Sequence, residues 1–396
     1  MEQLQDRPQE AIAMAEGLVA ETRAADGLAP VDCAAFWDEQ EQAVADPFAA
    51  RRVPIGHLWS AECIFDELGI PEDWHRYHFD TPWVRKQCVR YNDRAERIVG
   101  RRLLNEQQPD PERQWPQPKG LADLFDARNE FREGWWWLME SASDEDGLAA
   151  LLDRVDARLA DLRGFLLPPE WDQEKERLAS LGVCPPQYRH QRGPVTFATS
   201  IFGVENLCFL FYDDEDLVVR FSRTMLRAML AIHDLLAEEA RSLGFETARG
   251  FSFADDNCYL LTPEQYELFA APILAGVFAH CAPEPGDWRF QHSDSAMEHL
   301  VPILARFDLQ AVNFGPTVPA AVIRDHMPRT VIQGQLAPFT YSRHDEVGMV
   351  AEFLRDMGQL RDSRGLLFAT AGSVNNGSRL HGLRLIMAAV QRWGWY

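Results

Sequence analysis

Arg289-Phe290-Gln291-His292-Ser293-Asp294-Ser295 alternates like a strand in its first half, carries polar groups in its second, and gives way to helical periodicity at Met297, Leu300, Val301, Leu304 and Phe307. A strand that ends in His-x-Asp and turns into a helix is a βα unit with chemistry at its carboxyl end. The same pattern recurs on both sides. Strands are expected at 194–200, 250–254, 289–291, 311–314, 330–333 and 366–370, alternating with helices at 213–243, 263–280, 295–307, 318–326, 343–358 and 379–393. A first strand at Val53-Pro54-Ile55-Gly56-His57-Leu58-Trp59 and a weaker one at 163–167 bring the total to the eight of a TIM (β/α)8 barrel. A doubly wound open sheet is the alternative, but no GxGxxG follows a strand to mark a dinucleotide crevice.

Composition narrows the partners. With 396 residues, 46% of them hydrophobic, the chain can bury a large core. The formal charge of −22, from 61 acidic against 39 basic residues, repels polyphosphate, and nucleic acid is not an expected partner. Seven scattered cysteines with no CxxC pair read as reduced thiols in a cytoplasmic protein. No apolar run approaches the roughly 20 residues a bilayer span needs, so no membrane partner is expected. Residues 1–48 read as a helical extension and 49–396 as the barrel, with 60–190 a mostly helical, Trp-rich elaboration. Trp135, Trp136 and Trp137 read as packing or interface material, and that half is expected to serve as a lid or a subunit interface, which would make the chain a homodimer.

In a barrel the residues just past each strand share one mouth. They are His57 after the first strand, then Asp255, Asp256 and Asn257, His292 and Asp294, Asn313, Gln333 and Gln335, and finally Ser373 and Asn375. Adjacent carboxylates repel unless one is protonated, hydrogen-bonded or bound to a cation. Asp255, Asp256, His292 and Asp294 are therefore the expected catalytic set. His292, Asp256 and Asp294 are the candidate ligands of a divalent metal: zinc, iron or manganese. His57, Asn257, Asn313, Gln333, Gln335, Ser373 and Asn375 are candidate contacts to a small-molecule substrate. The structural alternative is that the aspartates only satisfy turn or helix-start amides.

Five segments carry a resemblance: Gly193-Pro194-Val195-Thr196, Phe211 to Val218, Thr262-Pro263-Glu264-Gln265-Tyr266 with Ala271-Pro272-Ile273, Ile332-Gln333-Gly334-Gln335-Leu336-Ala337-Pro338, and Gly372-Ser373-Val374-Asn375-Asn376-Gly377. Together they resemble the uroporphyrinogen decarboxylase superfamily, which includes cobalamin-dependent methyltransferases and whose fold is a TIM barrel. The resemblance implies a decarboxylase-type lyase or a methyltransferase. It also shows departures. The first strand lacks the Arg-rich grip on substrate carboxylates, and Gly372-Ser373 stands where decarboxylases have Gly-His, so a substrate other than a porphyrinogen is expected. The zinc methyltransferases use His-x-Cys and a later Cys where this chain has His292-x-Asp294 and Ser373. A lyase acting on a small or medium anion leads. Methyl transfer with altered metal ligands follows, and a non-catalytic binding barrel is the third reading.

Overall fold

The computed structural model describes residues 9–396. Its strands are β1 (Leu58–Trp59), β2 (Asn129–Arg132), β3 (Trp135–Leu138), β4 (His190–Arg192), β5 (Phe251–Ala254), β6 (Arg289–Ser293), β7 (Ala311–Phe314), β8 (Val331–Gln333), β9 (Leu366–Leu367) and β10 (Ser373–Val374). Helices separate the parallel strands. The chain divides into two compact units. One is Pro109–Gln310; the other joins the described part of Met1–Gln108 to Ala311–Tyr396.

In Pro109–Gln310, β4, β5 and β6 run parallel. One face of β5 is fully buried through Phe251 and Phe253, which pack edge-on or tilted against each other, Tyr188 and Phe278. The helix Glu215–Ser242 covers this core with Leu217, Val218, Phe221, Met225, Met229 and Ile232, an apolar stripe at helical spacing. Asp214 caps it by accepting the Leu217 N–H at 2.9 Å.

In the other unit, β7, β8 and β9 are parallel. The segment expected as the first strand lies beside the last ones. Ile55 bridges Phe368 in parallel, and β1 pairs in parallel with β10 through Leu58↔Ser373 and Trp59↔Val374. First and last strands joined side by side are what a closed barrel requires. The helix Gln9–Ala24 packs on Glu346–Leu360 and is tied there by the Arg23–Glu346 ion pair at 2.9 Å. The described N-terminal helices and the carboxyl-terminal strands belong to this unit.

Three expectations are corrected. Residues 194–200 are not a strand but the start of the helix Pro194–Phe202, and the strand precedes them at His190–Arg192. Residues 163–167 are not a strand either, since Leu162–Leu166 is helical. The Trp run belongs to an antiparallel hairpin, β2–β3, because Glu133 and Gly134 both take positive φ (52° and 90°) and so form the tight turn that matches strand twist. Among the described residues no single helix is long and apolar enough to cross a membrane.

Candidate active site

Parallel register aligns the site. Arg192 pairs with Ala254 across β4 and β5, and Ala254 with His292 across β5 and β6. Arg192, Ala254 and His292 are therefore level at the carboxyl ends of three neighbouring strands and on one face, with the small Ala254 leaving a gap between the two larger side chains. With about 4.8 Å between strands, Arg192 and His292 stand about 10 Å apart.

Asp256 opens the 3-10 turn after β5, and Asp294 follows β6. His292 Nε2 lies 3.5 Å from Asp256 Oδ1 and 3.6 Å from Asp294 Oδ1, and the Asp294 N–H donates to Asp256 Oδ1 at 3.0 Å. His292 is mostly covered, while the two carboxylates are about half exposed. These separations exceed a hydrogen bond. They suit three donors around one ion, because two ligands each about 2.1 Å from a tetrahedral metal are about 3.4 Å apart. Asp256, His292 and Asp294 thus form a three-donor group that can hold a cation. One imidazole with two carboxylates is a donor set for a hard or borderline divalent ion, not for a thiolate-rich zinc centre. Burial pushes the Asp294 carboxyl up, opposed by His292 and reinforced by Asp256.

Asp255, a candidate catalytic residue, lies beneath the site. It is fully buried, and its carboxylate accepts the Thr196 N–H at 2.7 Å and the Val195 N–H at 3.4 Å, capping the helix Pro194–Phe202 from 60 residues away. Burial nevertheless pushes its carboxyl up to about 6, against the pull of these amides. Gly193 is required by this contact, because a Cβ there would lie 2.2 Å from Asp255 Cβ and 2.8 Å from its Cα.

A cavity of about 1440 Å³ opens on this face. Asp256 and Asn257 line it together with four residues that the sequence reading missed, His190, Arg192, Thr196 and Ser200. Arg192 was hidden by the misplaced strand; two residues earlier in register it is a strand-end cation. Its Nη1 donates to Ser200 Oγ at 3.0 Å, and it has no carboxylate partner among the described residues. Burial and the nearby His292 push the His190 imidazole down, so it is neutral at pH 7. Asn257 is oriented by donating its side-chain amide to Thr199 Oγ1 at 2.7 Å. Trp135, Trp136 and Trp137 also line the cavity and are 45%, 47% and 56% exposed, so they are not core packing.

The remaining candidates lie in the other unit, and each has work to do within it. Asn313 donates to Gln333 O and Thr370 O and accepts the Gly372 N–H at 2.7 Å. Gln335 is buried and donates its amide to the carbonyls of Val318 and Gly315. These contacts tie strand ends to their neighbours. Ser373 Oγ donates to Asn375 Oδ1 at 3.4 Å, and Gln333 offers its carbonyl to Asn313. His57 Nδ1 accepts the Thr370 N–H at 3.2 Å among the rings of Trp59, Tyr341 and Phe368.

Cys258 is the thiol beside the cluster. It is buried against Ser293 and Ser295 at 3.6 and 3.9 Å, and burial pushes it far up, so it stays protonated. A second three-donor group, His233, Asp234 and His280, lies on the helices Glu215–Ser242 and Ala271–Cys281.

No curated protein matches the chain in sequence. Among solved structures, a methyltransferase from Methanosarcina mazei superposes with a TM-score of 0.51 at 15% identity, covering 86% of this chain and 94% of that one. At that identity the likeness shows the fold alone, and the fold class is α/β, a TIM barrel. The family model described as uroporphyrinogen decarboxylase (URO-D) matches residues 190–393, from the first residue of β4 to the last turn of the final helix. With more than half its length matched, the chain belongs to the uroporphyrinogen decarboxylase (URO-D) family.

Proposed function

We propose that the chain is a carboxy-lyase that decarboxylates an anionic small molecule with the help of a divalent cation. The observation that carries this reading is the two-pole site. A guanidinium lacking a carboxylate partner among the described residues stands level with His292 across three strand ends, and Arg192 and Asp256 line one cavity. Arg192 holds a substrate carboxylate by the bidentate geometry that guanidinium favours, and Ser200 fixes its orientation. Asp256, His292 and Asp294 would hold the cation, which when bound supplies positive charge for the electron pair left on carbon as the bond to departing carbon dioxide breaks. That carbon then takes a proton from solvent in the open cavity. Neutral His190 accepts or donates a hydrogen bond to the substrate without adding charge.

Methyl transfer is the second reading, favoured by the fold shared with the M. mazei methyltransferase. The donor set weighs against it, because Cys258 is kept protonated and no thiol joins Asp256, His292 and Asp294.

The test is metal analysis by mass spectrometry, followed by a ¹³C assay for carbon dioxide release over a panel of carboxylic acids with manganese, zinc or iron added. One equivalent of metal and chelator-sensitive release are expected. His292→Ala is expected to lower both metal content and turnover, the latter by about 10²-fold or more. Methylation of an added thiol without carbon dioxide release would replace this reading with the second.

A further inference from the structure

Away from the barrel mouth, two helices bring three metal-ligand side chains together. His233 and Asp234 sit on the helix Glu215–Ser242, and His280 lies in the last turn of Ala271–Cys281. Their donor atoms all lie within 4.8 Å of one another. The place is the opposite end of the strands from Asp256 and His292. The Cys281 carbonyl, one residue on from His280, accepts the Gly250 N–H at 2.7 Å just before β5. The Ala282 carbonyl accepts from Arg289, the first residue of β6, also at 2.7 Å. His280 is thus near the amino ends of β5 and β6, the end of a barrel that serves stability.

The geometry fits one ion. In a tetrahedral site with metal–nitrogen bonds of about 2.1 Å, two imidazole rings have centroids about 5 Å apart. The rings of His233 and His280 are 5.3 Å apart and nearly perpendicular, at 82°. His233 Nδ1 is 3.3 Å from Asp234 Oδ1, close to the roughly 3.4 Å between two ligands of such an ion. His280 Nε2 donates to the same Oδ1 at 2.5 Å, a hydrogen bond that already orients both side chains. An ion takes the place of that proton, which the neutral ring then carries on Nδ1. The Asp234 carboxylate, more than half exposed, has room to turn by the extra distance of about 1 Å. Arg241, two turns along the first helix, is paired with Glu238 at 3.3 Å, and the negative end of the second helix's dipole favours a cation beside His280.

The donor set also selects the ion. Two imidazoles and one carboxylate favour zinc over manganese or magnesium, which prefer oxygen. The cavity beside His233 is about 10 Å³, room for one water and no substrate, so an ion here holds helices together and activates no reactant.

We propose that His233, Asp234 and His280, with water as fourth ligand, form a structural zinc site that staples the helix Glu215–Ser242 to Ala271–Cys281. With three partly exposed protein ligands its dissociation constant is on the order of 1 μM, weaker than a four-ligand structural site. The ion is therefore lost on purification and is additional to the one expected at the barrel mouth. Nothing in this inference rests on the carboxy-lyase reading.

The test is equilibrium dialysis of the full chain, stripped with chelator, against zinc chloride or manganese chloride at about 10 μM, tenfold above that constant. Bound metal is measured by mass spectrometry. His292→Ala, which lacks a ligand of the other site, is expected to keep one zinc and take up no manganese. Adding His280→Gln or His233→Gln is expected to weaken that zinc at least tenfold. Zinc is expected to raise the melting temperature of His292→Ala and not of the double variants. Circular dichroism checks folding, and the two histidines lie on different helices, so either variant decides should the other unfold. No zinc on His292→Ala, equal zinc on the double variants, or zinc binding that leaves the melting temperature unmoved overturns the inference. Zinc that vanishes with His292→Ala alone sinks this site and leaves the carboxy-lyase reading standing. Identical metal content in the wild type and His292→Ala sinks that reading's cation and leaves this site.

Discussion

Burial pushes the Asp255 carboxyl up to about 6 while two helix amides hold it in place, whereas Asp256, one residue on, is about half exposed and faces the cavity. Two adjacent aspartates thus stand in different surroundings, one buried on helix amides and one open to the cavity. His57 shows a similar tension in the other direction. Burial among aromatic rings lowers its imidazole to about 4, its Nδ1 accepts the Thr370 N–H, and its Nε2 is buried without a partner. The unfolded chain, with a His near 6.5, takes up the proton first as pH falls. Stability from this residue is therefore complete above about 6.5 and is lost as pH falls toward 4. Discounted for the exposure the residue retains, the loss between pH 7 and pH 5 is about 1–2 kcal/mol. Denaturant unfolding at the two pH values is expected to show this extra loss in the wild type and not in His57→Gln, whose amide oxygen can still accept from Thr370. Equal pH dependence in both proteins would remove His57 from the account.

The element most open to misreading is the helix Pro194–Phe202. Val195, Thr196, Phe197, Thr199 and Ile201 are β-branched or aromatic, and local propensity alone makes them a strand. Pro194 in the first turn and the Asp255 carboxylate on the amides behind it make them a helix. A cap supplied from 60 residues away leaves no trace in the local pattern. By contrast Ala311–Phe314 lies where its alternation and flanks put it, and the helix Glu215–Ser242 departs from the expected 213–243 only at its ends. Glu239 near the end of that helix binds three neighbours, accepting from Arg163 Nε at 3.0 Å, Lys175 Nζ at 2.7 Å and Trp171 Nε1 at 3.0 Å. Burial disfavours its charge, yet these donors hold the carboxyl below its ordinary range. Glu239→Ala leaves a buried indole N–H and a covered ammonium uncompensated. Equilibrium unfolding is expected to show a loss of about 2–3 kcal/mol, at the low end for a broken buried pair because Arg163 is partly solvated. Glu239→Gln is expected to lose less, and a change under 0.5 kcal/mol in the Ala variant would show that the network contributes nothing net.

Over the whole chain the seven cysteines are free thiols, with Cys184 exposed, Cys33 and Cys208 partly covered, and Cys63, Cys88, Cys258 and Cys281 buried. A thiol reagent is expected to modify one group rapidly in the native protein, Cys184, and all seven in denaturant without prior reduction. Fewer than seven would reveal a disulfide and revise the reading of the cysteines as reduced. The alternation of strand and helix, and the polar residues placed after the strands, are properties of neighbours along the chain; from them the α/β class and the barrel were legible, with His292 and Asp294 as candidates at one strand end. Which strand ends adjoin is settled by hydrogen bonds between segments tens of residues apart. Only that register sets Arg192 level with His292, turns Asp255 inward as a cap while Asp256 faces the cavity, and brings the Trp hairpin to the same space.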